Sequence, residues 1–134
     1  YVVMDYPALF GKEDMFAYRM MFWWGNFFSF TLQLHGIYLE RCREHLQSHI
    51  HLLKKNDFYF CVNTTPWQYH YNTDNYILLD ELLSAENQQL KNQINKREFI
   101  KLSRQLKISE WEKVSETWSE TFDMLMSAAG VKKK

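Results

Sequence analysis

Cys42, His45 and His49 stand at i, i+3 and i+7, so a helix would bring a thiol and two imidazoles onto one face, with His35 one heptad earlier. These are zinc ligands. Zinc, however, takes about four donors converging tetrahedrally, usually from more than one element, and one helix falls short unless Cys61 or His70 folds back onto it. The expectation is therefore no metal and no cofactor: Cys42 packs beside Leu39 and Leu46, the histidines line a polar surface, and His51 is solvated. Asp80 with Glu81, and Glu116 with Glu120, have the types of an acid/base pair, but acids spaced along a polar helix face are normally solvated. The four glycines are scattered, so no phosphate-cradling loop exists, and no GxSxG, HExxH or CxxC motif occurs. No catalytic residue is assigned, and the chain reads as a non-enzyme. Asn63-Thr64-Thr65 matches a glycosylation sequon, meaningful only where that loop faces a secretory lumen.

Sixteen basic and sixteen acidic residues give a net charge of zero, which lacks the electrostatic footprint of a nucleic-acid binder. The charges come in blocks. A basic run from Lys96 through Arg97, Lys101, Arg104 and Lys107 precedes an acidic run of Glu110, Glu112, Glu116, Glu120 and Asp123. Two helices that partly neutralise one another account for this. Two cysteines do not make a disulfide framework. The first residue is Tyr1 and not Met, the pattern of a processed or partial chain, so no targeting segment is read.

The elements that must position these residues are read as mainly α. Residues 1–56 would form an irregular lead-in, with Pro7 and Gly11, and then a long helix from Lys12–Asp14 onward, bent at Gly25 or Gly36. Residues 57–75 form an aromatic linker, an ordered loop with at most a short strand. Residues 76–134 form a helical hairpin region of two or three amphipathic helices. Thr73 or Asp74 would cap the first, Asn95 with Glu98 would open another carrying Phe99, Leu102 and Leu106, and Ser109 with Glu112 repeats that signature. The last helix, Glu110 to Ala129, places Trp111, Val114, Trp118, Phe122 and Leu125 on one face. It stops at Gly130, before a solvated Lys132–Lys134 tail.

Met20 to Leu39, MMFWWGNFFSFTLQLHGIYL, holds no Asp, Glu, Lys or Arg over a length that spans a hydrocarbon core. Wound as a helix, it sets Gly25, Asn26, Ser29 and Gln33 on a small polar stripe opposite Trp23, Phe27, Phe30, Leu34 and Tyr38. A stripe of that kind suits protein on one side and lipid on the other, so residues 20–39 are expected to form a single membrane span. The competing reading is a buried helix of a soluble bundle. The run DMFAYRMMFWWG, Asp14 to Gly25, resembles the approach to the span in small single-pass accessory subunits of mitochondrial respiratory complexes. That resemblance implies a role in assembly or stability, a place in the mitochondrial inner membrane, and no redox group carried here. The expected function is thus a non-catalytic accessory subunit of a membrane complex, with other subunits and lipid as partners and no nucleic acid. Its interaction residues would be Gly25, Asn26, Ser29, Gln33, Trp111, Trp118 and Phe122. The alternative is a soluble helical-bundle adaptor that presents Trp111, Trp118 and Phe122 of its last helix to a protein partner.

Overall fold

The computed structural model describes residues 2–10, 13–23, 26–84 and 89–131, with the first stretch given by its backbone alone. The fold is α/β. Six strands form one antiparallel sheet in the order β1-β2-β3-β6-β4-β5: β1 Val2–Phe10, β2 Met15–Trp23, β3 Phe27–His35, β4 Phe58–Cys61, β5 Tyr76–Leu78 and β6 Phe99–Lys107. Among the described residues four α-helices accompany it: α1 Gly36–His49, α2 Leu79–Ser84, α3 Gln89–Lys96 and α4 Val114–Ala129. Short 3₁₀ turns follow α1, at Ile50–Leu53, and precede α4, at Ile108–Lys113.

The mainly helical expectation is overturned, and the reason is periodicity. In β3, Phe28, Phe30, Leu32 and Leu34 alternate with Phe27, Ser29, Thr31, Gln33 and His35, a repeat of two that belongs to a strand. Pairing of Phe16 with Leu34 and of Leu34 with Ile100 puts Phe16, Tyr18, Phe30, Leu32, Leu34, Ile100 and Leu102 on one face of the sheet. That face is the core. α1 buries Leu39, Cys42 and Leu46 against it, and α4 adds Leu125, Met126, Ala128 and Ala129. The segment expected to span a membrane is instead the end of β2, a turn residue at Asn26, β3 and the first turn of α1, with residues 24–25 outside the described ones. Among the described residues no helix is long and apolar enough to cross a membrane. The residues that carry the respiratory-subunit resemblance are largely strand β2.

The other long-helix expectations divide. The lead-in is strand β1, shifted in register between Asp5 and Ala8, where Pro7 falls; Gly11 lies outside the described residues. Phe99, Leu102 and Leu106 lie not on a helix but on β6, whose core-facing set is Ile100, Leu102, Arg104 and Leu106. The stretch expected to be one helix from Tyr76 is β5, α2 and α3, with residues 85–88 outside the described ones. The last helix begins at Val114, after the 3₁₀ turn, and ends at Gly130 with φ of 77°, the left-handed conformation glycine adopts at no steric cost. Lys132–Lys134 lie outside the described residues.

α1 begins without a cap of its own. Asp14, in the turn between β1 and β2, accepts the Ile37 backbone N–H at 2.8 Å and does that work from a neighbouring element. Arg43 of α1 in turn closes α3, donating to the carbonyls of Ile94, Asn95 at 2.9 Å and Arg97 at 3.2 Å. A guanidinium at a helix C-terminus meets both the orphan carbonyls and the negative end of the dipole.

Candidate functional site

The second face of the sheet is polar, and it is covered. Ser29, Thr31 and Gln33 of β3 and Lys101 and Ser103 of β6 are all buried there. Their cover is the segment between β4 and β5, residues 62–75, which crosses the sheet as an irregular strap rich in rings. Backbone that leaves regular structure and is then buried must find its hydrogen bonds one by one. Asn75, fully buried, binds both arms of the strap: its amide donates to the carbonyls of Gln68 at 3.1 Å and His70 at 2.6 Å, and its oxygen accepts from Asn63 at 3.2 Å. The Val62 N–H donates to the Asn75 carbonyl at 2.8 Å.

Lys101 anchors the middle. Its side chain has no exposure, and Nζ donates to the Pro66 carbonyl at 2.7 Å and the Gln68 carbonyl at 2.8 Å. The ammonium also stands 4.2 Å from the Tyr69 ring centre and 5.3 Å from that of Tyr76. Among the described residues it has no carboxylate partner, and burial pushes its pKa down to about 8. Around it, Arg19 donates to the Tyr69 hydroxyl at 2.7 Å, Thr31 and Ser103 share a hydrogen bond at 2.8 Å, and Tyr71 bonds Ser103. Burial raises the phenols of Tyr71 and Tyr76 well above their ordinary range.

A buried amine with a lowered pKa among hydroxyls has the parts of a nucleophile. The geometry argues otherwise. Both carbonyls it binds belong to the strap, the side chain has no solvent exposure, and its work is to hold the strap down. His35, beside it in the sheet, has its pKa lowered by burial and by the Lys101 charge, and bonds Gln33 at 2.8 Å.

The sequence-selected residues scatter over this frame. Cys42 is buried in the core, and burial raises its thiol pKa. His45 and His49 do share a face, with rings stacked 3.8 Å apart, but His45 donates to the Ser127 carbonyl at the end of α4 at 3.2 Å. Among the described residues no group of three or more His, Cys, Asp or Glu is placed to hold a metal. Ser29 and Gln33 lie under the strap, Asn26 is exposed in the turn before β3, and Gly25 lies outside the described residues. Trp118 and Phe122 are turned inward, their rings 4.3 Å and 5.2 Å from that of Tyr18, whose hydroxyl donates to the Trp118 carbonyl at 2.7 Å. Trp111 stands apart from them, 61% exposed on the 3₁₀ turn before α4. Sequence reasoning missed Lys101, Ser103 and Thr31, although Thr31, Gln33, Lys101 and Ser103 at spacing two mark a polar strand face.

A charged cleft of about 440 Å³ lies beside Trp111, bounded by Arg104 and Lys107 of β6, by Glu110 and Lys113, and by Glu116 and Glu120 of α4. Glu120 pairs with Arg104 at 3.3 Å, and Glu110 stands 4.0 Å from Lys113. Exposed pairs of this kind contribute little to stability and leave charge available at the surface. No protein-family model, no curated protein and no solved structure matches the chain.

Proposed function

We propose that the protein is a non-catalytic interaction domain, an accessory or adaptor component that docks a protein partner at the Trp111 end of the sheet. The observation that carries this is Trp111 itself. Its side chain is 61% exposed, while the two aromatics expected to act with it on the last helix are committed to Tyr18. Burying an indole on a partner contributes on the order of 2 kcal/mol, and tryptophan is among the residues that dominate interface energetics. Glu110 and Glu112 flank it, and Glu116 and Glu120 are exposed one and two turns along α4. Lys107 and Lys113 are exposed on the same rim, so the charge favours a partner whose rim carries both signs around an apolar pocket.

Trp111→Ala tests the reading. The tagged chain is isolated from its source cells with and without the substitution, and each partner recovered is re-measured against purified protein. The expected outcome is a partner whose affinity falls at least about tenfold on Trp111→Ala, with an unchanged melting temperature. Equal affinity for every partner, or no partner in either preparation, would remove the reading.

A further inference from the structure

We infer that the helix layer carries a binding site for a single-chain amphiphile, a short alkyl tail ending in one small anionic head, a carboxylate or a phosphate. The site is a cleft of about 350 Å³ where the C-terminal end of α4 meets α1 and the start of β2, within the size range of small-ligand sites. Phe16 and Tyr38, edge to face with ring centres 6.3 Å apart, line it together with Val131 and the buried Cys42 and Ala129. Burial raises the pKa of the Cys42 thiol, so at neutral pH the thiol adds no charge. A lining of this kind offers water few partners, whereas an alkyl chain gains by the area it removes from water.

Charge selects the head. Among the described residues Arg41 is the one charged group of the lining, it is exposed on α1, and no hydrogen bond or ion pair engages it. Acids close to it in the fold are committed elsewhere: Glu40 pairs with Arg43, and Asp14 accepts the Ile37 N–H. The sequence continues from Val131 as three lysines, cations and not acids. A guanidinium presents paired N–H donors that fit two oxygens of a carboxylate or a phosphate, and it repels an ammonium. Size then sets the tail. At roughly 30 Å³ per small group, the share of a water in the liquid, the cleft takes on the order of ten heavy atoms, those of octanoate. The cleft lies at the opposite end of α4 from Trp111, about 24 Å along 16 residues at 1.5 Å each, so the two sites are independent.

The full chain is titrated by amide-resolved NMR with butanoate, hexanoate and octanoate, with octyl phosphate, and with octanol and octyltrimethylammonium as neutral and cationic counterparts. Octanoate is expected to bind at millimolar concentration or below and to shift the amides of Arg41, Cys42, Ala129 and Val131. Each added methylene should tighten binding by about twofold to fourfold, in line with the burial of a CH₂ group. Arg41→Gln, at an exposed position, should weaken octanoate about fivefold and leave octanol and the melting temperature as they were. Val131→Phe, at a half-buried position, fills the cleft and should weaken both. Octyl phosphate bound more tightly than octanoate assigns the head to a phosphate, and the reverse order assigns it to a carboxylate. No shift at these amides with any amphiphile, equal affinity for octanoate and octyltrimethylammonium, or octanoate binding that both variants leave intact overturns the inference. None of these results depends on Trp111.

Discussion

Lys101 is the residue whose energetics reach furthest, because it is a cation buried without a counter-charge among the described residues. With a folded pKa of about 8 and an ordinary value of 10.5, the unfolded chain binds the proton more tightly. Between those two values the unfolded state carries more protons, so stability rises with pH by up to about 1.4 kcal/mol per unit, and what the buried charge costs is fully present below pH 8. Denaturation at a series of pH values from about 8 to 9.5, below the range of the tyrosines, should show that rise. Lys101→Met should abolish it. The same variant takes the Lys101 donor from the Pro66 carbonyl and leaves the Gln68 carbonyl with Asn75 alone, so amide exchange across 62–75 should quicken while exchange in α1 and α4 stays as it was. A rise of equal slope in Lys101→Met would mean that another group titrates.

At the scale of elements, α1 depends on a turn that is distant in sequence. Asp14→Ala removes the acceptor for the Ile37 N–H and should cost about 1 kcal/mol, the usual value of an N-terminal cap, measurable as a drop in melting temperature. Gly36→Ala should cost more, about 1–3 kcal/mol, because φ there is 58° and a Cβ would lie 2.6 Å from the Glu13 carbonyl oxygen. Equal, near-zero effects of the two would show that the β1–β2 turn does not fix the start of α1. These elements also show where the sequence was legible. α4 could be read because Trp118, Phe122, Leu125 and Ala129 recur at helical spacing and Gly130 follows. β3 could not, because its outward set holds Phe27 as well as Ser29, Thr31 and Gln33, so both faces looked apolar or merely neutral. Asn26, Ser29 and Gln33 then mimicked a helical stripe, although alternate residues from Ser29 to Gln33 share a strand face equally well. Trp23 and Asn26 mark a chain reversal only once β2 and β3 are known to pair. The strap resisted for a different reason: Lys101 sits 33 residues or more from the carbonyls it binds, and no local pattern encodes that meeting.

Across the whole molecule, one sheet separates two layers built on different principles. The helix layer is apolar and buries Tyr18 beneath Trp118 and Phe122; the strap layer is polar and ring-rich and buries Tyr71 and Tyr76. Burial raises the pKa of all three phenols. A phenol with a raised folded pKa contributes stability below its ordinary value of about 10 and loses it as pH climbs above that, so stability should fall there by up to about 4 kcal/mol per unit if all three act. Together with Lys101, this places the stability maximum between about pH 8 and 10. The two layers should not yield together. An irregular segment held by single hydrogen bonds opens more readily than packed helices. Phenolate absorbance should therefore gain a stage in which Tyr71 and Tyr76 ionise while the helical circular dichroism signal still stands, and Tyr18 should follow only as that signal collapses. Tyr71→Phe should shrink the first stage and Tyr18→Phe the second. A single step, coincident with loss of helix and reduced equally by both variants, would show that strap and helices are one cooperative unit.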